Sequence, residues 1–246
     1  MTETYSRDEY VYLARLYEKA ERFEDMVKWI SKFVIMNPVL SNEERNILSA
    51  GYKNIISGKR ASWRLLHSLE RKEEKKNSNI KNIQCIKEIK SRVEQEMKKI
   101  CDELQIILQK YLIPNSKDYE TKVFFLKLKG DYYRYQSEFT TDEEFESACK
   151  NAEEAYKEAY VIAEKELHIS SSTRLGLALN FSVFYYEIKL LKEEACQIAN
   201  NSFQESIQIL DELEKQKAKD TILIIQLLKE NLILWNNDTN EDEDNI

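Results

Sequence analysis

Turn-forming residues are scarce in this chain. Its 246 residues include four glycines (Gly51, Gly58, Gly130 and Gly176) and two prolines (Pro38 and Pro114), where an ordinary globular chain carries roughly 12% Gly plus Pro. Sheet proteins need turn chemistry about every 8–12 residues. The scarcity therefore excludes a β-rich fold and leaves long helices joined by short connections. No run of about 18 apolar residues occurs, so no membrane-spanning helix is expected. The segment Met1-Thr2-Glu3-Thr4 is polar and acidic, without a signal-peptide core. Cys85, Cys101, Cys149 and Cys196 lie far apart and form no CxxC pair. They read as reduced thiols of a cytosolic or nuclear protein. His67 and His168 fall in no catalytic motif, and HExxH, GxSxG, P-loop and GxGxxG patterns are missing. No Cys/His cluster has metal-ligand spacing. The expectation is a binding protein with no catalytic residues, metal or cofactor.

Charge is present but unevenly spread. Of the net −7, five acids sit in the last eleven residues: Asp238, Glu241, Asp242, Glu243 and Asp244. Lys53 to Lys76 holds eight bases against three acids, and Asp142 to Glu166 holds nine acids against three bases. A basic helical segment inside an acidic protein suggests a local anion site. It argues against nucleic acid, which usually needs a strongly basic domain.

Apolar periodicity predicts nine helices, over residues 6–20, 22–36, 42–74, 80–111, 118–138, 143–165, 173–190, 193–210 and 219–235, packed as antiparallel neighbours. Ser41-Asn42-Glu43-Glu44 is a capping box after the break at Pro38. Lys76-Asn77-Ser78-Asn79 is a polar turn, Leu112-Ile113-Pro114-Asn115 ends the fourth helix, and His168 to Ser172 is a linker. The apolar pattern stops after Trp235. Residues 1–235 are expected to form a single domain, and 236–246 an acidic, disordered tail that could fold back on a basic groove.

Lys53 and Arg60 stand seven residues apart on the third helix, so both project from one face. Lys127 and Arg134 repeat the spacing on the fifth, followed by Tyr135. Two such pairs on facing helices can converge on a dianion. Arginine suits phosphate through its planar fork, and a tyrosine hydroxyl adds a directed bond. The same spacing also describes a solvated helix face. Three tyrosines and a glycine around Arg134, in Lys129-Gly130-Asp131-Tyr132-Tyr133-Arg134-Tyr135, imply a partly buried guanidinium. Asp131 or Glu138 could be its partner. Leu223, Leu227 and Leu234 share a stripe with Asn231. Leu179 and Val183 share another beside Asn180, and Gly176 would let a backbone approach closely. These stripes describe either core or an amphipathic peptide groove whose asparagines hold a ligand backbone.

At these residues the sequence resembles the 14-3-3 family. RFEDM (Arg22 to Met26) and KDTILIIQLLKENLILW (Lys219 to Trp235) match its signatures almost verbatim. Between them lie LSNEERNILSAGYKN (Leu40 to Asn54), RASWR (Arg60 to Arg64), KVFFLKLKGDYYRY (Lys122 to Tyr135) and RLGLALNFSVFYYEI (Arg174 to Ile188). The resemblance implies a cup-shaped helical protomer with an amphipathic groove, dimerising through its N-terminal helices. It implies phosphate contacts at Lys53, Arg60, Arg134 and Tyr135, with Lys127 nearby. It implies peptide contacts at Leu179, Asn180, Val183, Glu187, Leu227, Asn231, Leu234 and Trp235. Leu16 and Ala20 would pack against Ser62, Leu66 and Leu69 of the partner, with salt bridges from Arg22 to Glu96 and from Asp25 to Arg92. The sequence departs from the family pattern at Ile89, where a tyrosine is usual, and by about three extra residues between Glu70 and Cys101. Ser62 follows Lys59-Arg60-Ala61, a basophilic kinase context, so phosphorylation there would disfavour the dimer.

The function implied is a non-enzymatic adaptor binding phosphoserine or phosphothreonine motifs of client proteins, as a homodimer or a heterodimer with a paralogue. The alternative is a helical scaffold that binds acidic or amphipathic peptides whether or not they are phosphorylated.

Overall fold

The computed structural model is all-α. It describes residues 5–76, 79–211 and 218–243, with side chains as far as Asp238, and no strand occurs among these. Residues 77 and 78 of the expected polar turn, and 244–246 of the expected tail, lie outside the described residues. Each of the nine expected helices coincides with an observed one: α1 (Arg7–Lys19), α2 (Phe23–Met36), α3 (Asn42–Lys75), α4 (Ile80–Ile107), α5 (Tyr119–Ser137), α6 (Asp142–Glu166), α7 (Ser172–Glu187), α8 (Lys192–Ile207) and α9 (Lys219–Glu243). A π-helical stretch, Leu108–Leu112, carries α4 towards Pro114. The chain forms two compact units, residues 1–115 and 116–246.

In the first unit the helix ends follow from local chemistry. Ser6 with Glu9 and Ser41 with Glu44 form capping boxes that start α1 and α3, and a cap of this kind stabilises a helix by roughly 1 kcal/mol. Arg7 fixes the α2–α3 connection. Its guanidinium donates to the carbonyls of Phe33, Asn37 and Val39 and to Glu44. With no glycine available, α1 ends on Glu21 at φ 55. The N–H groups of Glu21 and Arg22 donate to the carbonyls of Glu18 and Tyr17, a closure normally built around glycine. Met26, Ile30, Phe33, Leu48, Ile56, Met97 and Leu104 form the core. α3 and α4 run antiparallel, as their cross-links show: Lys59 to Glu96 (2.7 Å), Trp63 Nε1 to Glu94 (2.8 Å) and Lys90 to Glu70.

In the second unit α6 lays a stripe of small residues, Ala148, Ala152, Ala155, Ala159 and Ala163, into the core. The i, i+4, i+7 spacing puts them on one side. α5 and α6 are antiparallel: Lys122 pairs with Glu158 (3.3 Å) at one end, and Gly130 abuts Tyr156 further along. Tyr156, Phe181, Phe184 and Tyr185 join α6 to α7 through ring contacts. α9 does not stop at Trp235. It runs to Glu243, beyond the end at residue 235 that the apolar pattern predicts. Adding a residue to an existing helix gains a hydrogen bond without a new nucleus. The Tyr186 hydroxyl also donates to Asp238 (2.9 Å), just beyond the Trp235–Tyr186 stack.

Candidate functional site

The second unit holds a buried charge cluster built from three helices. Asp131 and Arg134 on α5 are both buried. Asp131 Oδ1 accepts from the Tyr156 hydroxyl of α6 (2.6 Å) and from Asn180 Nδ2 of α7 (2.7 Å). Oδ2 accepts from Lys127 Nζ one turn back on α5 (2.8 Å). Arg134 Nε donates to the Tyr156 hydroxyl (3.3 Å), Nη2 lies 3.9 Å from Asp131 Oδ1, and Cζ stands 4.8 Å from the centre of the Tyr135 ring. Gly130 makes this possible. A Cβ there would lie 2.8 Å from two carbon atoms of the Tyr156 ring, so only glycine lets Tyr156 sit flat enough on α5 to reach Asp131.

The electrostatics follow from that geometry. Burial alone pushes the Asp131 carboxyl up, but the charges of Lys127 and Arg134 and the hydrogen bonds from Lys127 and Tyr156 hold it below the usual carboxylate range. Burial opposes the Arg134 charge, yet Tyr156, Asp131 and Tyr135 raise its pKa, so it stays protonated. Burial and the neighbouring Asp131 charge drive the Tyr156 hydroxyl well above its ordinary value, so it remains a proton donor. Two cations share one carboxylate. The surplus positive charge is fixed in place at low dielectric, which favours an incoming anion over water.

Asp131 was anticipated as a partner of Arg134, but Tyr156 was not. Its only sequence signal is a tyrosine within the alanine stripe of α6. Asn180, expected to hold a ligand backbone, has one amide hydrogen already donated to Asp131. Its second hydrogen and its oxygen are the groups left to consider for a ligand. Leu179 and Val183 are half-buried on α7, and Glu187 is exposed. On α9, Leu223, Leu227 and Leu234 are 55%, 38% and 57% exposed, with Asn231 half-buried. The core alternative for this stripe is thereby removed. Trp235 is 3% exposed and stacks on Tyr186 at 4.5 Å, so it braces α9 against α7. Over Gly176 a Cβ would meet Lys127 Cε at 3.7 Å and Ile224 at 3.8 Å. These are ordinary contacts, so the protein's own packing does not demand glycine there.

In the first unit Lys53 is exposed and Arg60 half-buried, two turns apart on one face of α3. Of the expected dimer residues, Leu16, Ala20, Ser62, Leu69, Ile89 and Arg92 are exposed and Leu66 is half-buried. Arg22 and Asp25 pair with each other, Lys28 joins Asp25, and Lys59 pairs with both Glu24 and Glu96. Lys59, absent from the expected set, thus ties α2, α3 and α4 together. Among the described residues no group of three or more His, Cys, Asp or Glu could hold a metal ion, and no helix is long and apolar enough to cross a membrane.

The second unit thus combines a buried Arg134 and a half-buried Lys127 around one carboxylate with exposed leucines on α9 and half-buried asparagines on α7 and α9. Comparison with known proteins makes this specific. The family model for 14-3-3 proteins matches residues 13–236. The chain is 47% identical to 14-3-3-like protein C of Glycine max, covering 98% of this chain and 93% of that protein. It is 45% identical to 14-3-3 protein 3 of Entamoeba histolytica, covering 97% and 99%. It is 49% identical to the checkpoint signal transducer rad25 of Schizosaccharomyces pombe, covering 95% and 86%. The chain belongs to the 14-3-3 family, a family of non-enzymatic adaptors.

Proposed function

We propose that this chain is a dimeric adaptor that binds phosphoserine or phosphothreonine segments of client proteins. The observation that carries the reading is Arg134, buried yet fully charged, with Asp131 shared between it, Lys127, Tyr156 and Asn180. A buried guanidinium costs several kcal/mol to desolvate. Holding it rigid beside the half-exposed Tyr135 is consistent with a phosphate ligand carrying about −1.5 to −2 charge. The family resemblance implies phosphate contacts at Lys53, Arg60, Arg134 and Tyr135. The exposed leucines of α9 suit the apolar side chains of an extended peptide, and Asn180 and Asn231 suit its backbone. The exposed Leu16 and Ile89, 43% and 50% accessible, support dimerisation through the first unit. A dimer would offer two grooves, and a doubly phosphorylated client would gain avidity by effective concentration.

Titration of one serine-containing peptide with and without its phosphate tests the reading. The expected result is a loss of at least about a hundredfold without phosphate, which corresponds to roughly 2.7 kcal/mol. Equal affinities would replace it with the phosphorylation-independent scaffold.

A further inference from the structure

The cations of α3 do not end at Arg60. Lys53, Arg60, Arg64, Arg71 and Lys75 recur at intervals of seven, four, seven and four residues, a spacing that keeps them on one stripe of a helix. α3 is continuous over all of them, from Asn42 to Lys75. The stripe is about 33 Å long at 1.5 Å per residue. Its C-terminal half borders a cleft of 360 Å³ lined by Trp63, Arg64, His67, Arg71, Lys72 and Lys75. One wall is rigid: Trp63 and His67 stack at 5.1 Å with nearly parallel planes, and Trp63 is anchored to Glu94.

Glu70 and Glu74 lie to one side of α3, towards α4, where Lys87 and Lys90 take them. Arg71, Lys72 and Lys75 are exposed and enter no ion pair among the described residues. Ser62, Leu66 and Leu69 lie on the opposite side of the helix, so a dimer formed through them leaves the stripe open.

We infer that the C-terminal end of this stripe, Arg71 and Lys75, is a second anion site, for the acidic or phosphorylated flank of a client bound at the primary phosphate; the inference rests on the phosphopeptide reading above. The spacing sets the register. Arg71 and Lys75 lie about 16 and 22 Å along the helix from Arg60. An extended chain covers roughly 3.3 Å per residue. The second anionic side chain therefore falls about five to seven residues from the phosphorylated one.

The test uses the full chain and synthetic peptides with one phosphoserine, with a second phosphoserine two, six or twelve residues away on either flank, or with none. A second phosphate six residues away on one flank is expected to tighten binding about three- to tenfold, as a few exposed ion pairs allow. The gain should shrink at the other spacings. It should also disappear in the R71Q/K75Q variant, which binds the singly phosphorylated peptide as the native chain does. An R71K/K75R variant, which keeps the charges, should retain the gain. An equal gain in R71Q/K75Q, or no gain at any spacing, would overturn the inference while leaving the primary site intact. Equal binding of the singly phosphorylated and unphosphorylated peptides would overturn both.

Discussion

α3 and α5 each carry a lysine followed seven residues later by an arginine, Lys53 with Arg60 and Lys127 with Arg134. From the sequence the two pairs are equivalent, yet the structure treats them differently. Lys53 is exposed and Arg60 half-buried. Arg134 is buried and Lys127 half-buried, and the two are held by Asp131, Tyr156 and the ring of Tyr135. Identical spacing thus gives an exposed lysine with a half-buried arginine on one helix and a rigid, desolvated arginine on the other. What differs is the neighbouring helix: α6 offers a tyrosine hydroxyl over a glycine. An exposed cation costs the fold little and acts mainly through the field it adds. A buried one must be matched, and its removal takes one of two cations from Asp131 and leaves a cavity among Tyr156 and Tyr135.

The comparison can be broken most directly by truncating each arginine. Arg134→Ala should lower unfolding stability by about 3–5 kcal/mol and abolish phosphopeptide binding. Arg60→Ala, at a half-buried position, should cost less stability than Arg134→Ala while still weakening binding severely. Urea unfolding beside peptide titration separates the two effects, and equal stability losses would erase the distinction. The helical glycines give a second contrast. Gly130→Ala drives a Cβ into the Tyr156 ring and should cost about 1–3 kcal/mol. Around Gly58, within α3, nothing lies within 4 Å of an added Cβ, so Gly58→Ala should stabilise by roughly 0.5–1 kcal/mol. Thermal melts of both variants should move in opposite directions.

The smallest expected effect is in the pH profile. The folded pKa of Asp131 lies below its ordinary value of 3.8. Its contribution to stability is therefore present above pH 3.8 and is lost as pH falls through the lower folded value. The stability curve of Asp131→Asn should lie below that of the native chain at neutral pH and converge on it in acid. A constant gap between the curves down to pH 2 would mean that the carboxylate is not depressed by its cationic neighbours.

Much of this molecule was legible in advance. The nine helices, the capping box at Ser41 and the family were readable because they depend on local spacing and on long ordered motifs. Three features were not. Leu223, Leu227 and Leu234 follow the same periodicity whether a helix buries them or displays them, and only the packing of α9 decides which. The burial of Trp235 depends on Tyr186, which lies on α7, 49 residues back in the chain. The end of α9 was placed where the apolar pattern stops, yet the backbone ladder continues over polar residues as far as Glu243.

By itself the sequence determined the helical class, the spacing of the cations and the membership of the 14-3-3 family. Helix periodicity, caps and turn scarcity all act between residues a few positions apart. The tertiary structure alone decided which cation is buried in a matched cluster and which stands nearer the solvent. The partners of Asp131 on α6 and α7, Tyr156 and Asn180, are 25 and 49 residues away in the chain. No local rule links positions that far apart. Only close packing of α5 on α6 at Gly130, and of α7 beside them, brings their polar atoms within hydrogen-bonding distance and turns a charge pattern into a fixed site.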